Sequence, residues 1–238
     1  MFSIVKNLGK NQPKLRFLLL ILPLTVAALF IVKIFILDFY RISSASMSPA
    51  LLTGDFIAIL KVFCRIEKND IVAFTLPENA AEKGDYERNS LFIKRVIAAT
   101  NDTISVESNT VFVNGQKTRY AAERTEYVLS AKKFVVPGKG TALDISPENE
   151  VVWRPLVERE GHSVVIRNRI IFIDGNPATE FNLTQDFYFV TGDNTTDSYD
   201  SRYWGLLPEK AIAGRAFLIY WSVAETDGVR LGRIGMVR

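Results

Sequence analysis

Residues 17–37 form an apolar segment that constrains the fold of this chain more than any other feature. The segment, FLLLILPLTVAALFIVKIFIL, carries one charge, Lys33. A helix of these 21 residues would span about 31 Å, which matches the hydrocarbon core of a bilayer. A membrane helix tolerates Pro23, and the Lys33 side chain can extend to the headgroups. The sequence therefore predicts a single transmembrane helix.

The charges on either side of this segment predict its orientation. Residues 1–16 contain four basic residues and no acidic residue. Because positive charge near a membrane helix favours the cytoplasmic side, we expect 1–16 to be a cytoplasmic tail. The chain after residue 37 should then lie on the opposite side of the membrane.

Two other interpretations of the segment are weaker. A soluble helix of this length would rarely be apolar on every face. A cleaved signal peptide is the better alternative, because Ser43, Ser44 and Ala45 are small residues of the kind found at a cleavage site. Signal-peptide cores are shorter, at about 7–15 residues. We therefore expect a retained membrane anchor.

Composition excludes several classes of function. Residues 1–37 hold five of the 29 basic residues, so 24 remain against 26 acidic residues in the rest, a net charge of −2. This balance leaves no basic surface for a nucleic-acid partner. The chain has one cysteine, Cys64, and one histidine, His162. We therefore expect no intrachain disulfide, no Cys/His zinc site, and a base other than histidine for any covalent nucleophile. We also expect no other metal and no cofactor.

Beyond the anchor, the patterning is that of short β-strands. Alternating apolar runs bounded by turn residues predict strands at 55–62, 70–75, 90–98 and 187–191. Asn114-Gly115 and Asp174-Gly175 each follow a similar apolar run and predict hairpins with type I′ turns. Helical patterns are scarce outside the membrane. We expect a β core formed by 38–103 and 187–238, with a β-rich insert at 104–186.

The first of three segments with chemical potential is 43–49, SSASMSP. Small residues around Ser46 would let a peptide backbone approach closely, and Pro49 would stiffen the following turn. On its own, this segment is more typical of a serine-rich juxtamembrane linker.

The second segment is 91–97, LFIKRVI, which places Lys94 in an apolar strand. Burial lowers the pKa of a lysine, and a neutral lysine can take a proton from a serine hydroxyl. Since neighbours in a strand point to opposite faces, Arg95 would face solvent or a carboxylate. The alternative is an edge strand protected from aggregation by its two charges.

The third segment is 191–205, TGDNTTDSYDSRYWG, which is dense in turn formers and polar groups. Arg202 can pair with Asp200 or Asp193 through two parallel hydrogen bonds and hold the loop. A surface turn with one ion pair would also account for these residues, but so long a polar run favours a positioned site.

In this order the three segments resemble the signature boxes of bacterial type I signal peptidases, membrane-bound serine proteases of the Ser/Lys kind. The family pattern is Ser-x-Ser-Met-x-Pro after a membrane helix, then a Lys-Arg strand, then Gly-Asp-Asn…Ser-x-Asp-Ser-Arg-Tyr-Trp-Gly. Here these boxes are 44–49, Lys94-Arg95 and 192–205. The stretch 69–74 and Arg233-Ile234-Gly235 resemble further family features, whereas the insert matches loosely.

The resemblance implies the fold, activity and location. We expect a mostly β protein, with one N-terminal transmembrane helix, an antiparallel β-sheet catalytic core and a β-rich insert. The implied activity is removal of signal peptides from exported preproteins at the bacterial inner membrane. The partners would be preprotein signal peptides and the lipid bilayer, with the catalytic domain on the periplasmic side.

The resemblance also implies a role for each matched residue. Ser46 would be the nucleophile and Lys94 its neutral general base. The Ser46 backbone N–H and the Ser44 hydroxyl would form the oxyanion hole. The supporting residues would be Asp193, Ser198, which would hold the Lys94 amine by a hydrogen bond, and Asp200 and Arg202, which would brace the loop.

Three departures from the family pattern bear on these roles. The turn after the lysine strand is 98–102, AATND, where the family has a glycine-rich turn. Thr195 replaces a frequent arginine, and Asp197 replaces a frequent asparagine beside Ser198. An inward-facing carboxylate would raise the pKa of Lys94, so we expect Asp197 to face outward.

Two other functions stay open on the sequence. The chain could be a catalytically silent membrane-anchored β module that binds exported proteins, which the changes at 195–197 would permit. It could also be a specialised peptidase that processes one dedicated client.

Overall fold

The computed structural model describes residues 13–62, 65–77, 90–107, 110–121, 133–224, 226 and 228–237. Residues 13–16 and 121 are described by their backbone alone. Most of the predicted tail 1–16 and the single cysteine, Cys64, lie outside the described residues.

The N-terminal helix has the length and exposure of a membrane span. Helix α1 covers Pro13–Ile31 and continues as a π-helix over Val32–Ile36. The stretch Phe17–Ile36 is apolar, and none of its most apolar part is buried inside the protein. The helix ends one residue before the predicted boundary, because Leu37 is extended and pairs with Leu60. The backbone thus passes from helix to sheet without an intervening loop.

The described residues contain 18 strands and two further α-helices. The helices are α2 (Glu150–Arg159) and α3 (Ser201–Trp204). The strands are β1 (Leu37–Arg41), β2 (Asp55–Leu60), β3 (Ile71–Thr75), β4 (Leu91–Ala98), β5 (Thr103–Glu107), β6 (Thr110–Val113), β7 (Gln116–Ala121), β8 (Lys133–Val135), β9 (Ala142–Asp144), β10 (Val164–Arg167), β11 (Ile170–Ile173), β12 (Asn176–Pro177), β13 (Glu180–Asn182), β14 (Phe187–Thr191), β15 (Leu207–Pro208), β16 (Ile212–Ala224), β17 (Gly228–Val229) and β18 (Gly235–Met236).

The largest sheet is antiparallel, in the order β1-β2-β16-β3-β4-β14-β15, with β17 and β18 also paired to β16. All four predicted strands are confirmed as β2, β3, β4 and β14, with ends that agree within two residues. Strand β4 lies between β3 and β14, so the interpretation of 91–97 as an edge strand is wrong. Apolar residues of these strands, including Val72, Phe74, Val96 and Val190, form one hydrophobic core, to which β4 contributes Val96.

Residues 103–186 form smaller sheets. These are the four-stranded sheet β7-β6-β5-β8, the three-stranded sheet β10-β11-β12 and the pair β13-β9. Both predicted type I′ hairpins are present, since Asn114, Gly115, Asp174 and Gly175 all have positive φ.

Helix α2 is an element that the patterning did not predict. It contains Pro155 in its interior, which disfavours a helix in the sequence. The buried residues of this helix are Trp153, Leu156 and Val157, which lie on one face of the helix. Packing of this apolar face outweighs the cost of the proline.

Candidate active site

The predicted nucleophile lies in the turn that follows β1. Ser46 is partly exposed, while its neighbours Met47 and Leu51 are buried at 2% and 0% exposure. The Leu51 N–H donates to the Met47 carbonyl at 2.9 Å. These two apolar anchors fix the turn and leave the serine hydroxyl at the surface of a cleft.

Strand β4 brings Lys94 to this serine. The Lys94 side chain is buried, with 3% of the residue exposed, and its Nζ donates a hydrogen bond to Ser46 Oγ at 2.8 Å. The Phe92 ring lies on the same strand, with its centroid 5.9 Å from Nζ. The structure therefore joins two residues that are 48 positions apart in the sequence.

The surroundings of Lys94 favour its neutral form. Burial lowers the pKa of Lys94 to about 8, against an ordinary value of 10.5. Of the nearby charges, Asp200 raises the pKa, Arg202 lowers it and Asp197 raises it. Desolvation is the largest of these effects, and it gives the amine a basicity suited to proton abstraction near neutral pH.

Ser44 lies close to the same hydroxyl. Its Oγ is 3.2 Å from Ser46 Oγ, and the Ser44 side chain is exposed in the cleft. The role of Ser44 as an oxyanion-hole donor stays a prediction.

Asp200 and Arg202 form a buried pair that braces the 192–205 loop. Arg202 Nε and Nη2 donate to the two carboxylate oxygens of Asp200 at 2.8 and 2.9 Å. The Gly192 N–H also donates to Asp200 Oδ2 at 2.9 Å. Of the two partners that the sequence allowed for Arg202, the structure selects Asp200.

Ser198 contacts Asp200. Its Oγ donates to Asp200 Oδ2 at 2.7 Å, so the hydroxyl proton is directed at the carboxylate and not at the lysine amine. The physical reason is that a charged acceptor forms a stronger hydrogen bond than a neutral amine. The implied hydrogen bond between Ser198 and the Lys94 amine stays a prediction, because a hydroxyl that donates can also accept.

Asp193 pairs with the residue next to Lys94. Arg95 Nε and Nη2 donate to Asp193 Oδ1 and Oδ2 at 2.8 and 2.7 Å. This agrees with the expected divergence of the two β4 neighbours, with Arg95 facing a carboxylate. Arg119 and Tyr120 also donate to Asp193 Oδ1, and the sequence carried no signal for either contact.

The loop and the serine turn are in direct backbone contact. The Asn194 N–H donates to the Ser46 carbonyl at 3.0 Å, and Asn194 Nδ2 donates to the Ala45 carbonyl at 3.3 Å. Gly192 packs so closely that a Cβ there would lie 2.5 Å from the Ser46 carbonyl oxygen. No separate role for Gly192 or Asn194 was predicted, because these contacts depend on the tertiary fold.

Asp197 is exposed, as expected, yet it still raises the pKa of Lys94. The carboxylate is therefore close enough to act through space without entering the cleft. This change from the family pattern opposes the effect of burial on the amine.

The C-terminal Arg233 holds the chain that follows the serine turn. Arg233 Nη2 donates to Asp55 Oδ2 at 2.6 Å and to the Ala50 carbonyl at 2.9 Å. Asp55 is fully buried, and Ser222 Oγ also donates to it. Sequence reasoning singled out Arg233 but gave it no role.

A cavity of about 190 Å³ adjoins the serine and the lysine. Residues 40–44 with Ser46 and Met47 line one side, and residues 91–94 line the other. The apolar part of this lining includes Ile42, Leu91 and Ile93. The cavity has the size and polarity to hold a small apolar side chain against Ser46 Oγ.

Several known proteins are similar to this chain in sequence or in structure. A family model described as "Signal peptidase, peptidase S26" matches residues 14–221, which include all three segments of the site. Signal peptidase I of Aquifex aeolicus is 30% identical over 224 residues, covering 84% of this chain and 81% of that protein. Signal peptidase I of Pseudomonas aeruginosa is 27% identical over 232 residues, covering 87% of this chain and 74% of that protein. The crystal structure of a signal peptidase I from Enterococcus faecalis is 21% identical, with a TM-score of 0.30, covering 64% of this chain and 97% of that one.

Proposed function

The chain belongs to the signal peptidase family, peptidase S26, and from this membership we propose that it removes N-terminal signal peptides from exported preproteins. We propose further that it is a membrane-anchored serine endopeptidase with Ser46 as nucleophile and Lys94 as general base.

One observation carries this proposal: the 2.8 Å hydrogen bond between Lys94 Nζ and Ser46 Oγ. A nucleophile and its base must lie within hydrogen-bond reach, and the base must be able to lose its own proton near the working pH. The buried amine of Lys94, with a pKa of about 8, meets both requirements.

The chemistry would proceed through an acyl-enzyme. Neutral Lys94 takes the proton from Ser46 Oγ as this oxygen attacks the scissile carbonyl carbon. The tetrahedral intermediate collapses when Lys94 returns the proton to the leaving amine, which frees the mature protein. Lys94 then takes a proton from water, which attacks the ester, and returns this proton to Ser46 Oγ as the signal peptide leaves with a new carboxylate.

The oxyanion of each tetrahedral intermediate would accept hydrogen bonds from the Ser46 N–H and the Ser44 hydroxyl. Each donor of this kind lowers the barrier by roughly 3–4 kcal/mol. The position of Ser44 Oγ, 3.2 Å from Ser46 Oγ, supports this role, because the attacking oxygen and the oxyanion are bonded to the same carbon.

The cavity beside the dyad is a candidate site for the side chain before the scissile bond, because Ser46 and Lys94 are part of its lining. Ile42, Met47 and Ile93 give this lining an apolar part. From the family's preference for small residues at this position, we expect alanine to be accepted there.

We propose that residues 17–36 anchor the chain in the inner membrane of a bacterium, with the N-terminus cytoplasmic and the β-sheet domain periplasmic. The four basic residues before the helix support this orientation. The apolar core of a signal peptide would end at the same membrane surface, so the scissile bond would lie near Ser46.

The test is cleavage of a preprotein by the full chain in detergent. We expect Ser46→Ala and Lys94→Ala each to reduce cleavage by at least about 10³-fold. Arg167→Met, which changes an exposed residue of β10, should retain the wild-type rate. Undiminished cleavage by either Ser46→Ala or Lys94→Ala would reject the dyad.

The same assay separates the two alternatives. Binding without cleavage by the wild type would identify a silent β module. Cleavage of one client within a panel of unrelated preproteins would identify a specialised peptidase.

A further inference from the structure

Two arginines from outside the signature boxes contact the 192–205 loop, one near each end. Arg119 is on β7, in the four-stranded sheet, and Arg159 is at the end of α2. Neither belongs to the segments that resemble the family boxes. Their contacts cross 74 positions in the sequence for Arg119 and 45 to 47 for Arg159.

The contact near the start of the loop is made on Asp193. Arg119 Nη2 lies 2.5 Å from Asp193 Oδ1, and the Tyr120 hydroxyl donates to the same oxygen at 3.2 Å. The Asp193 side chain is 1% exposed, whereas that of Arg119 is 55% exposed. Arg95 already pairs with Asp193 through two hydrogen bonds. Arg119 is therefore not needed to neutralise a buried carboxylate.

The contact at the end of the loop is made on backbone carbonyls. Arg159 Nη1 donates to the Leu206 carbonyl at 2.6 Å, and Nη2 donates to the Trp204 carbonyl. The Arg159 guanidinium also lies over the Trp204 ring, 5.9 Å from its centroid. These donors satisfy carbonyls at the point where α3 ends.

The path from Arg119 to the nucleophile is short. Arg119 holds Asp193, and the next residue, Asn194, donates its backbone N–H to the Ser46 carbonyl at 3.0 Å. Gly192 also packs closely against the same carbonyl, since a Cβ there would lie 2.5 Å from its oxygen. A displacement of Asp193 would therefore displace the backbone of Ser46 relative to Lys94.

We propose that Arg119 and Arg159 are positioning residues for catalysis, through which the sheet β7-β6-β5-β8 and helix α2 hold the 192–205 loop and so set the position of Ser46. This inference rests on the proposed function, because it assigns a catalytic consequence to contacts outside the reacting atoms. A misplacement of about 1 Å at a reacting group can cost on the order of 10²-fold in rate.

The test compares Arg119→Met with Arg167→Met in the full chain in detergent. Arg167 is an exposed arginine of β10 and serves as the matched control. We expect Arg119→Met to lower kcat by about tenfold with KM within twofold, because the substrate cavity is lined by other residues. Arg119→Lys should recover part of kcat, since an amine can still reach Asp193. Arg159→Met should lower kcat in the same way.

A second readout does not depend on turnover. Hydrogen exchange at the Asn194 amide should accelerate in Arg119→Met and stay at the wild-type rate in Arg167→Met, while amides of β3 and β4 stay protected in both. If Arg119→Met does not fold, Tyr120→Phe removes only one hydroxyl from Asp193 and should produce a smaller change in the same direction.

Equal kcat in Arg119→Met and Arg167→Met, with unchanged exchange at Asn194, would overturn the inference while leaving the peptidase activity intact. A wild type that cleaves no preprotein would reject the proposed function instead. In that case, the exchange measurement still decides whether Arg119 positions the loop.

Discussion

Lys94 contacts Ser46 in a site where burial affects the pKa of the Lys94 amine more than any neighbouring charge does. The amine is 3% exposed, and desolvation outweighs the opposing carboxylates of Asp200 and Asp197. A protonated lysine cannot accept the serine proton. Under the proposed mechanism, the catalytic rate therefore depends on the fraction of Lys94 that is neutral.

We expect the pH dependence of kcat/KM to follow the titration of Lys94. The lowered pKa of about 8 means that the amine is charged below this pH and neutral above it. Activity should rise about tenfold per pH unit on the acid side and level off above pH 8 or so. Initial rates of preprotein cleavage across this range measure the profile. An ascending limb near the ordinary lysine value of 10.5 would contradict the buried base.

Asp197 should shift the pH at which kcat/KM rises, that is, the ascending limb of the pH profile. Because Asp197 raises the pKa of Lys94, Asp197→Asn should move the limb to lower pH and increase activity on its acid side by about twofold. The exposed carboxylate acts through solvent, so the difference should shrink at high salt. Glu180→Gln, which removes an exposed charge of β13, is the matched control and should leave the limb in place. Identical limbs for wild type and Asp197→Asn would show that the carboxylate is fully screened.

At the scale of the elements, the contact between the 192–205 loop and the serine turn predicts a contrast between two glycines. A Cβ at Gly192 would lie 2.2 Å from Ser198 Oγ and 2.5 Å from the Ser46 carbonyl oxygen. A Cβ at Gly115, in the β6-β7 turn, would meet nothing within 4 Å, although its φ of +76° strains an alanine.

Gly192→Ala should therefore reduce cleavage by on the order of 10²-fold, because the nucleophile's backbone must shift. Gly115→Ala should retain activity and lose about 1 kcal/mol of stability. Cleavage rates and thermal unfolding of the two variants measure this. Full activity in Gly192→Ala would mean that the loop yields without moving Ser46.

Four of the nine strands in the largest sheet were predictable from the sequence, whereas the long strand β16, which pairs with β2 and β3, was not predicted. Strands β2, β3, β4 and β14 are short apolar runs bounded by turn residues. The type I′ hairpins were also predictable, because Asn114-Gly115 and Asp174-Gly175 satisfy a local backbone requirement. These features depend on neighbouring residues, which a sequence displays directly.

The features that were missed depend on distant residues. Helix α2 forms around Pro155 because tertiary packing of Trp153 and Leu156 outweighs local propensity. Ser198 donates to Asp200 because the loop brings a carboxylate within reach. Arg119 lies in the insert, which matches the family pattern only loosely, whereas Asp193 lies in a signature box. No local sequence pattern predicts the contact between these two residues.

At the scale of the whole molecule, an aromatic face adjoins the membrane anchor. Phe39 follows the helix by three residues and is 46% exposed, and its ring lies 5.5 Å from that of Tyr220. Trp221, next to Tyr220, is 40% exposed, whereas Trp153 and Trp204 are 1% and 3% exposed. Aromatic side chains of this kind favour the interface between lipid and water.

We expect Trp221 to contact lipid when the chain is reconstituted. Bilayers with brominated acyl chains should quench part of the tryptophan fluorescence, and Trp221→Phe should remove most of this quenching. Trp153→Phe, which changes a buried tryptophan, should retain it. Equal quenching in wild type and Trp221→Phe would place this face away from the bilayer.

The direct passage from the π-helix Val32–Ile36 into β1 has a consequence for which bonds can be cut. Because β1 is paired along its length to β2, we expect Ser46 to stay at one distance from the lipid when the helix spans a bilayer. If the chain cleaves preproteins as proposed, it should then select the scissile bond by the distance of that bond from the end of the client's apolar segment. A bond at another distance should stay uncut even when its side chains fit.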